Sequence, residues 1–135
     1  MTAKAAPLIY IIDDDTDDCE LLQSVLSSIN SFIQCITARD GNEALKVLKD
    51  LIILPDVIVL DLNMPMISGK EVLKELKRDE ALSKIPVIVY TTSSDERDKT
   101  DALRFGAAQY IVKPSSYKGI ESVARSILKR VQMSI

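Results

Sequence analysis

Five polar side chains stand directly behind apolar runs in this 135-residue chain, and their types suit phosphoryl chemistry. Asp13 and Asp14 follow Leu8-Ile9-Tyr10-Ile11-Ile12, Asp61 follows Val57-Ile58-Val59-Leu60, Thr91 follows Val87-Ile88-Val89-Tyr90, and Lys113 follows Gln109-Tyr110-Ile111-Val112. Short apolar runs without polar alternation read as strands buried on both faces, the kind found inside a parallel sheet. In such a sheet the strand ends share one edge, where open α/β folds bind their ligands. Three carboxylates, a hydroxyl and an ammonium are thereby gathered into one cleft. Two unit charges about 4 Å apart repel by ~1 kcal/mol in water and ~4 kcal/mol at a protein-like dielectric, so these carboxylates need a counter-charge. Lys113 supplies part of it. A hard divalent cation is the natural source of the rest, and Mg²⁺ is commonly held by one or two carboxylates together with water and phosphate. Asp61 is the residue expected to react.

Each of these residues has a plainer role when taken alone. Asp13 and Asp14 could cap the helix that follows them, as Asp15, Asp17 and Asp18 are expected to do. Thr91 could cap a strand end, Tyr110 could be core, and Lys113 could be an ordinary surface lysine. Their joint placement behind different strands favours the shared site.

The elements that must position them alternate along the chain. After the first strand, Leu21, Leu22, Val25, Leu26 and Ile29 recur at helical spacing. Phe32 to Thr37 reads as a weaker strand, and Asp40-Gly41-Asn42 turns into a helix with Ala44, Leu45, Leu48 and Leu51 inward. Val72, Leu73 and Leu76 mark a third helix that ends before Pro86. The segment from Asp95 to Phe105 offers only Ala102, Leu103 and Phe105 as an apolar side, and is expected to be the least firmly held helix. Gly106 stops it, and a last helix carries Ile120, Val123, Ile127 and Val131 on one face. Five apolar strands alternating with five amphipathic helices predict a doubly wound α/β fold around a parallel sheet.

Composition narrows the function classes. Hydrophobic residues make up 47% and charged residues 27%, and no apolar run approaches bilayer length, so a soluble, single-domain chain over residues 1–135 is expected. A net charge of -3 and a pI near 5.0 argue against direct contact with nucleic acid. The first residues lack the pattern of a secretory signal, which predicts a cytoplasmic location. Cys19 and Cys35 lack metal-ligand spacing and are expected to be free thiols. The complete absence of histidine excludes a Ser-His-Asp hydrolase, a histidine-ligated zinc site and a phosphohistidine carrier.

From Leu8 to the last helix, the chain resembles a response-regulator receiver domain of bacterial two-component signalling, the CheY-like type. The resemblance implies a flavodoxin-like sheet of order 2-1-3-4-5. It implies Mg²⁺ as cofactor, with Asp14 as direct ligand, Asp13 acting mainly through water, Asp61 as a ligand and Asn63 giving its backbone carbonyl. It further makes Asp61 the phosphate-accepting residue, Thr91 the switch hydroxyl, Tyr110 the switch aromatic and Lys113 the phosphate-binding lysine. Met64-Pro65 and Gly69 fit the family's turn, and Pro114 is expected to follow a cis peptide bond. Two departures stand out: Ser115-Ser116 precede Tyr117 where an aromatic often follows the Lys-Pro pair directly, and Thr92 follows Thr91 where smaller residues are common. The resemblance also implies that Asn63 and Ser93 flank the route of the attacking water.

The implied function is that of a phosphoacceptor signalling domain, not an enzyme beyond its own phosphorylation and dephosphorylation. Its expected donor is a histidine kinase or a phosphotransfer protein. No output domain is expected after Ile135, so the signal would pass to a protein partner over the face of the fourth helix, fifth strand and fifth helix, with homodimerisation through the same face left open. Neither nucleic acid nor membrane is expected as a partner. Two alternatives carry weight: a small Mg²⁺-dependent phosphohydrolase with an aspartyl-phosphate intermediate, and a phosphate-independent binding module. The haloacid dehalogenase-like enzymes want Asp-x-Asp, however, and Asp61-Leu62-Asn63 lacks the second acid. A flavodoxin-like electron carrier would need a phosphate loop where Asp13-Asp14-Asp15 stand.

Overall fold

The register between neighbouring strands decides which strand ends meet. In the computed structural model, which describes residues 6–133, the strands are β1 (Leu8–Ile12), β2 (Gln34–Ala38), β3 (Val57–Leu60), β4 (Val87–Thr91) and β5 (Gln109–Val112). They form one parallel sheet in the order β2-β1-β3-β4-β5. Ile12 lies opposite Leu60 and Thr91 opposite Val112, so Asp13 and Asp61 leave the sheet side by side, as do Thr91 and Lys113. Backbone bonds extend the pairing past the strands: the Asp61 amide donates to the Ile12 carbonyl at 2.9 Å, and the Lys113 amide to the Thr91 carbonyl at 2.7 Å.

The helices are α1 (Thr16–Ile29), α2 (Gly41–Asp50), α3 (Gly69–Arg78), α4 (Glu96–Arg104) and α5 (Tyr117–Met133). Side chains alternate across each strand, so the sheet makes two cores. Ile9 and Ile11 of β1 and Val57 and Val59 of β3 pack with Leu22, Val25 and Leu26 of α1 and with Val123 and Ile127 of α5. Tyr10, Ile12, Ile58 and Leu60 pack on the other side with Leu48 of α2, Leu73 and Leu76 of α3 and Ala102 of α4. Every residue of β1 after Leu8 is buried, and so is all of β3 and β4, as their unbroken apolar sequences predict.

The weaker sequence signals shift by a few residues. β2 starts at Gln34, not Phe32: the Gln34 amide donates to the Pro7 carbonyl at 2.8 Å, whereas the Phe32 amide is taken by the Asn30 side chain at 3.0 Å and the ring is left exposed. A short 3-10 turn (Leu82–Lys84) fills the gap between α3 and Pro86. α4 is held by still less apolar surface than its sequence suggests: Ala102 is buried but Leu103 faces solvent.

Tyr10 is the residue of the core at odds with its surroundings. Its ring is fully buried and its hydroxyl meets no hydrogen-bond partner among the described residues, with the phenol pushed up to about 12 by burial and by the nearby Glu43 and Asp40 charges. A buried unpaired hydroxyl carries a desolvation penalty on the order of 1 kcal/mol that a phenyl ring avoids. Tyr10→Phe is therefore expected to raise unfolding stability by about 1 kcal/mol, read as a higher urea midpoint at unchanged slope.

Candidate functional site

Lys113 leaves β5 at the sheet edge and reaches back across the cleft with its side chain only 8% exposed. Its Nζ lies 2.8 Å from Asp13 Oδ2, 2.7 Å from Asp18 Oδ2 and 3.5 Å from Asp61 Oδ2. Asp13 and Asp61 are buried, and each is anchored through its other oxygen: Asp13 Oδ1 accepts from the Asp15 amide at 2.9 Å, and Asp61 Oδ1 from the Asn63 amide at 3.2 Å. Asp14 is exposed at the rim. Carboxylate oxygens of Asp13, Asp14 and Asp61 all lie within 4.8 Å of one another. Three hard oxygen donors at that spacing, open to water on the Asp14 side, fit a small divalent cation that keeps part of its hydration shell.

Burial dominates the electrostatics of Asp13. It pushes the carboxyl up from 3.8 to about 6; the Lys113 and Asp15 hydrogen bonds pull the other way, and the Asp61 charge adds to the rise. For Lys113, burial alone would lower the ammonium, but hydrogen bonds to Asp13 and Asp18 and the Asp61 charge hold it above its ordinary value. Its stabilising contribution is therefore complete below the unfolded value of 10.5 and is lost only at higher pH. Asp13 has the opposite consequence. A carboxyl that binds its proton more tightly when folded favours the folded state at low pH and opposes it as pH climbs through about 6. Metal-free protein is expected to lose stability from this group between about pH 4 and 7, by an amount on the order of 3 kcal/mol. Urea midpoints in EDTA should record the loss as a difference between wild type and Asp13→Asn that opens over this range. Added Mg²⁺ should close it.

A second set of contacts runs from the cleft toward α4. Thr91 is fully buried, and its Oγ1 faces Asn63 Nδ2 at 3.5 Å and the Ser93 amide at 3.4 Å. The Ser93 hydroxyl donates to Asp98 at 2.6 Å, and the Ser93 carbonyl accepts from the half-buried Tyr110 hydroxyl at 2.8 Å. Lys70, in the first turn of α3, bridges to Asp98 at 2.7 Å and Asp101 at 3.0 Å on α4. Those bonds hold both carboxyls below the usual carboxylate range. Gly69 fits α3 against the cleft: its amide donates to the Leu62 carbonyl at 2.9 Å, leaving no room for a side chain against the Asp61 backbone. The turn before it takes Met66 through φ 70°, a conformation that normally favours glycine.

Asp13, Asp14, Asp61 and Lys113 thus converge as their placement behind the strands predicts, with Thr91 at the same edge beside Asn63; Tyr110, inside β5, reaches the Ser93 carbonyl instead. Asp15 is the cap expected of it, accepting from the Asp18 amide at 3.1 Å. Asp18, however, is a partner of Lys113 besides lying in the first turn of α1. The missed signal is positional: a helix that starts at the cleft rim carries its first turn over the cleft. Lys70 and Asp98 were not legible at all, because their meeting depends on how α3 packs beside α4. The bond before Pro114 is trans, not cis. An X-Pro bond separates its isomers by only about 1 kcal/mol, so residue type does not fix the choice. Both cysteines are free, with the buried Cys19 thiol facing the Asp13 carbonyl. Among the described residues no helix is long and apolar enough to cross a membrane.

A family model described as the response regulator receiver domain matches residues 9–125. A protein named probable transcriptional regulator ycf27, from Guillardia theta, is 37% identical over 122 residues, covering 90% of this chain and 45% of that protein. The alkaline phosphatase synthesis transcriptional regulatory protein PhoP of Bacillus subtilis is 36% identical over 126 residues, 93% of this chain and 50% of that protein. The chain therefore spans about half the length of these relatives. Among solved structures, the phosphorylated cyanobacterial phytochrome response regulator RcpA superposes with a TM-score of 0.88 at 31% identity, covering 97% of both chains. The Mn(2+)-bound form of response regulator Rcp1 gives 0.81 at 32% identity, over 90% of this chain and 91% of that one.

Proposed function

The chain belongs to the response regulator receiver domain family, and on that premise we propose that Asp61 accepts a phosphoryl group and that Thr91 and Tyr110 pass its presence to a binding partner. The observation that carries the proposal is the contact at 3.5 Å between the buried Asp61 carboxylate and the Lys113 ammonium, beside two further carboxylates. An Asp61 oxygen attacks the donor's phosphorus, the bond from phosphorus to the leaving group breaks, and the leaving group departs with the electron pair. The product is an acyl phosphate on Asp61. A carboxylate is a weak nucleophile, so the rate depends on stabilising charge on the transferring group. Lys113 pairs with one phosphoryl oxygen, and the Thr91 hydroxyl donates to another.

Mg²⁺ would be held by Asp14, Asp61 and the Asn63 carbonyl, with Asp13 through water, and would neutralise charge on a further phosphoryl oxygen. As Thr91 turns toward the phosphoryl group it leaves Asn63 and the Ser93 amide. The Ser93 loop then loosens its hold on the Tyr110 hydroxyl, and the ring is free to move inward. The outcome is a changed surface over α4, β5 and α5, where Leu103, Val112 and Tyr117 are exposed. The donor is a histidine kinase or a phosphotransfer protein, and the receiver of the signal is a protein partner.

Incubation with a small phosphodonor and Mg²⁺ is expected to add one phosphoryl group, seen by intact mass, that slowly hydrolyses. The adduct should be absent from Asp61→Asn and from EDTA-treated protein. An adduct that persists in Asp61→Asn would reject the assignment.

A further inference from the structure

Lys113 is shared unequally among its three carboxylates. Its two short contacts, at 2.7 and 2.8 Å, go to Asp18 and Asp13, while Asp61 stands off at 3.5 Å. An ammonium has three donors, and two of them are committed to the β1–α1 side of the cleft. The Asp18 backbone is fixed, its amide tied to the capping Asp15 side chain, and its carboxylate sits in the first turn of a 14-residue helix whose dipole favours negative charge there. We propose that Asp18 is a positioning residue that holds Lys113 back from Asp61, so that an incoming phosphoryl group has to take the lysine from Asp18.

Burial makes Asp18 the partner that can release. Its side chain is 36% exposed against 3% for Asp13, so water can solvate the Asp18 carboxylate once the lysine leaves, whereas Asp13 would be stranded. Asp18 also adds negative charge at the mouth of a cleft that must admit an anion. Both effects act in one direction: Asp18 slows entry of the phosphoryl group and, by competing for the lysine afterwards, shortens its stay. This inference rests on the phosphoacceptor role of Asp61.

Asp18→Asn keeps the shape and removes the charge. An ion pair with one partner open to water holds weakly, so the variant is expected to be phosphorylated by a small phosphodonor about fivefold faster, the rate equivalent of about 1 kcal/mol, and to dephosphorylate more slowly. Asp18→Glu, which restores the charge, should return toward the wild-type rate. Simple damage to the helix start would slow phosphorylation instead, and an equal or slower rate in folded Asp18→Asn overturns the proposal. A crystal structure of Asp18→Ala separates this from the parent assignment: Lys113 Nζ should close on Asp61 to hydrogen-bond distance. If wild type takes no phosphoryl group, the Asp61 role fails and this distance alone decides. A shortened contact supports the Asp18 proposal, and one unchanged from 3.5 Å overturns it.

Discussion

Lys113→Met is expected to slow phosphorylation of Asp61 by about 100-fold or more and, in the same protein, to remove about 3 kcal/mol of folding stability at neutral pH. Both effects follow from one cation serving three carboxylates. Methionine keeps the length and apolar stem, so the loss is one of charge, not packing. Removing one donor aimed at a developing oxyanion typically costs two to three orders of magnitude in rate, of about that size. The stability loss comes from leaving Asp13 and Asp61 buried without their ammonium, at the low end of the usual range because Asp18 can turn to water. The two effects part when Mg²⁺ is added. Divalent cation should restore much of the urea midpoint but little of the rate, since it neutralises the carboxylates without replacing a donor at the lysine's position. A midpoint equal to wild type in EDTA would mean that the carboxylates are neutralised by some other route.

Gly69→Ala should be as damaging to the fold, on the order of 3 kcal/mol, for a purely steric reason. A methyl group there would fall inside any permitted contact with the Asp61 carbonyl oxygen and 2.6 Å from the Leu62 Cα. Backbone cannot step aside as a side chain can, so α3 must lift or the Asp61 turn must shift. Gly41→Ala supplies the control. Its added carbon would meet side-chain atoms only, Val72 Cγ2 at 2.5 Å and Ile67 Cγ1 at 2.6 Å, and side chains yield at less cost than backbone. Denaturant midpoints should therefore fall much further for Gly69→Ala. Phosphorylation should fall with them in any Gly69→Ala molecules that remain folded, because the displaced backbone carries Asp61, the proposed phosphate acceptor.

What was legible in the chain is what strands impose locally. Val57 to Leu60 has no polar alternation, which requires burial on both faces and so an interior place in the sheet; Asp61 then has to emerge at the edge. The same logic delivers Asp13, Thr91 and Lys113. What was not legible depends on which helix lies beside which. Asp18 and Lys113 are 95 residues apart, and their contact exists only because α1 begins at the rim that Lys113 overreaches. Leu103 reads as apolar packing for α4, yet it is exposed; the helix rests on Ala102 and on Phe105 at its end, and Lys70 ties it to α3 from the side. Charge pairs of this kind leave no periodic trace in a sequence.

That tie gives two neighbouring charge clusters different sensitivity to ionic strength. Lys70, Asp98 and Asp101 are each about a quarter exposed, between 21% and 27%, while the Lys113 side chain is 8% exposed above buried Asp13 and Asp61. Mobile ions screen solvent-facing charges over about 8 Å at physiological concentration and far less effectively those enclosed by protein. Concentrated salt is consequently expected to weaken the charge tie between α3 and α4 while the pairs of Lys113 with buried Asp13 and Asp61 persist, leaving α4 to its apolar packing through Ala102 and Phe105.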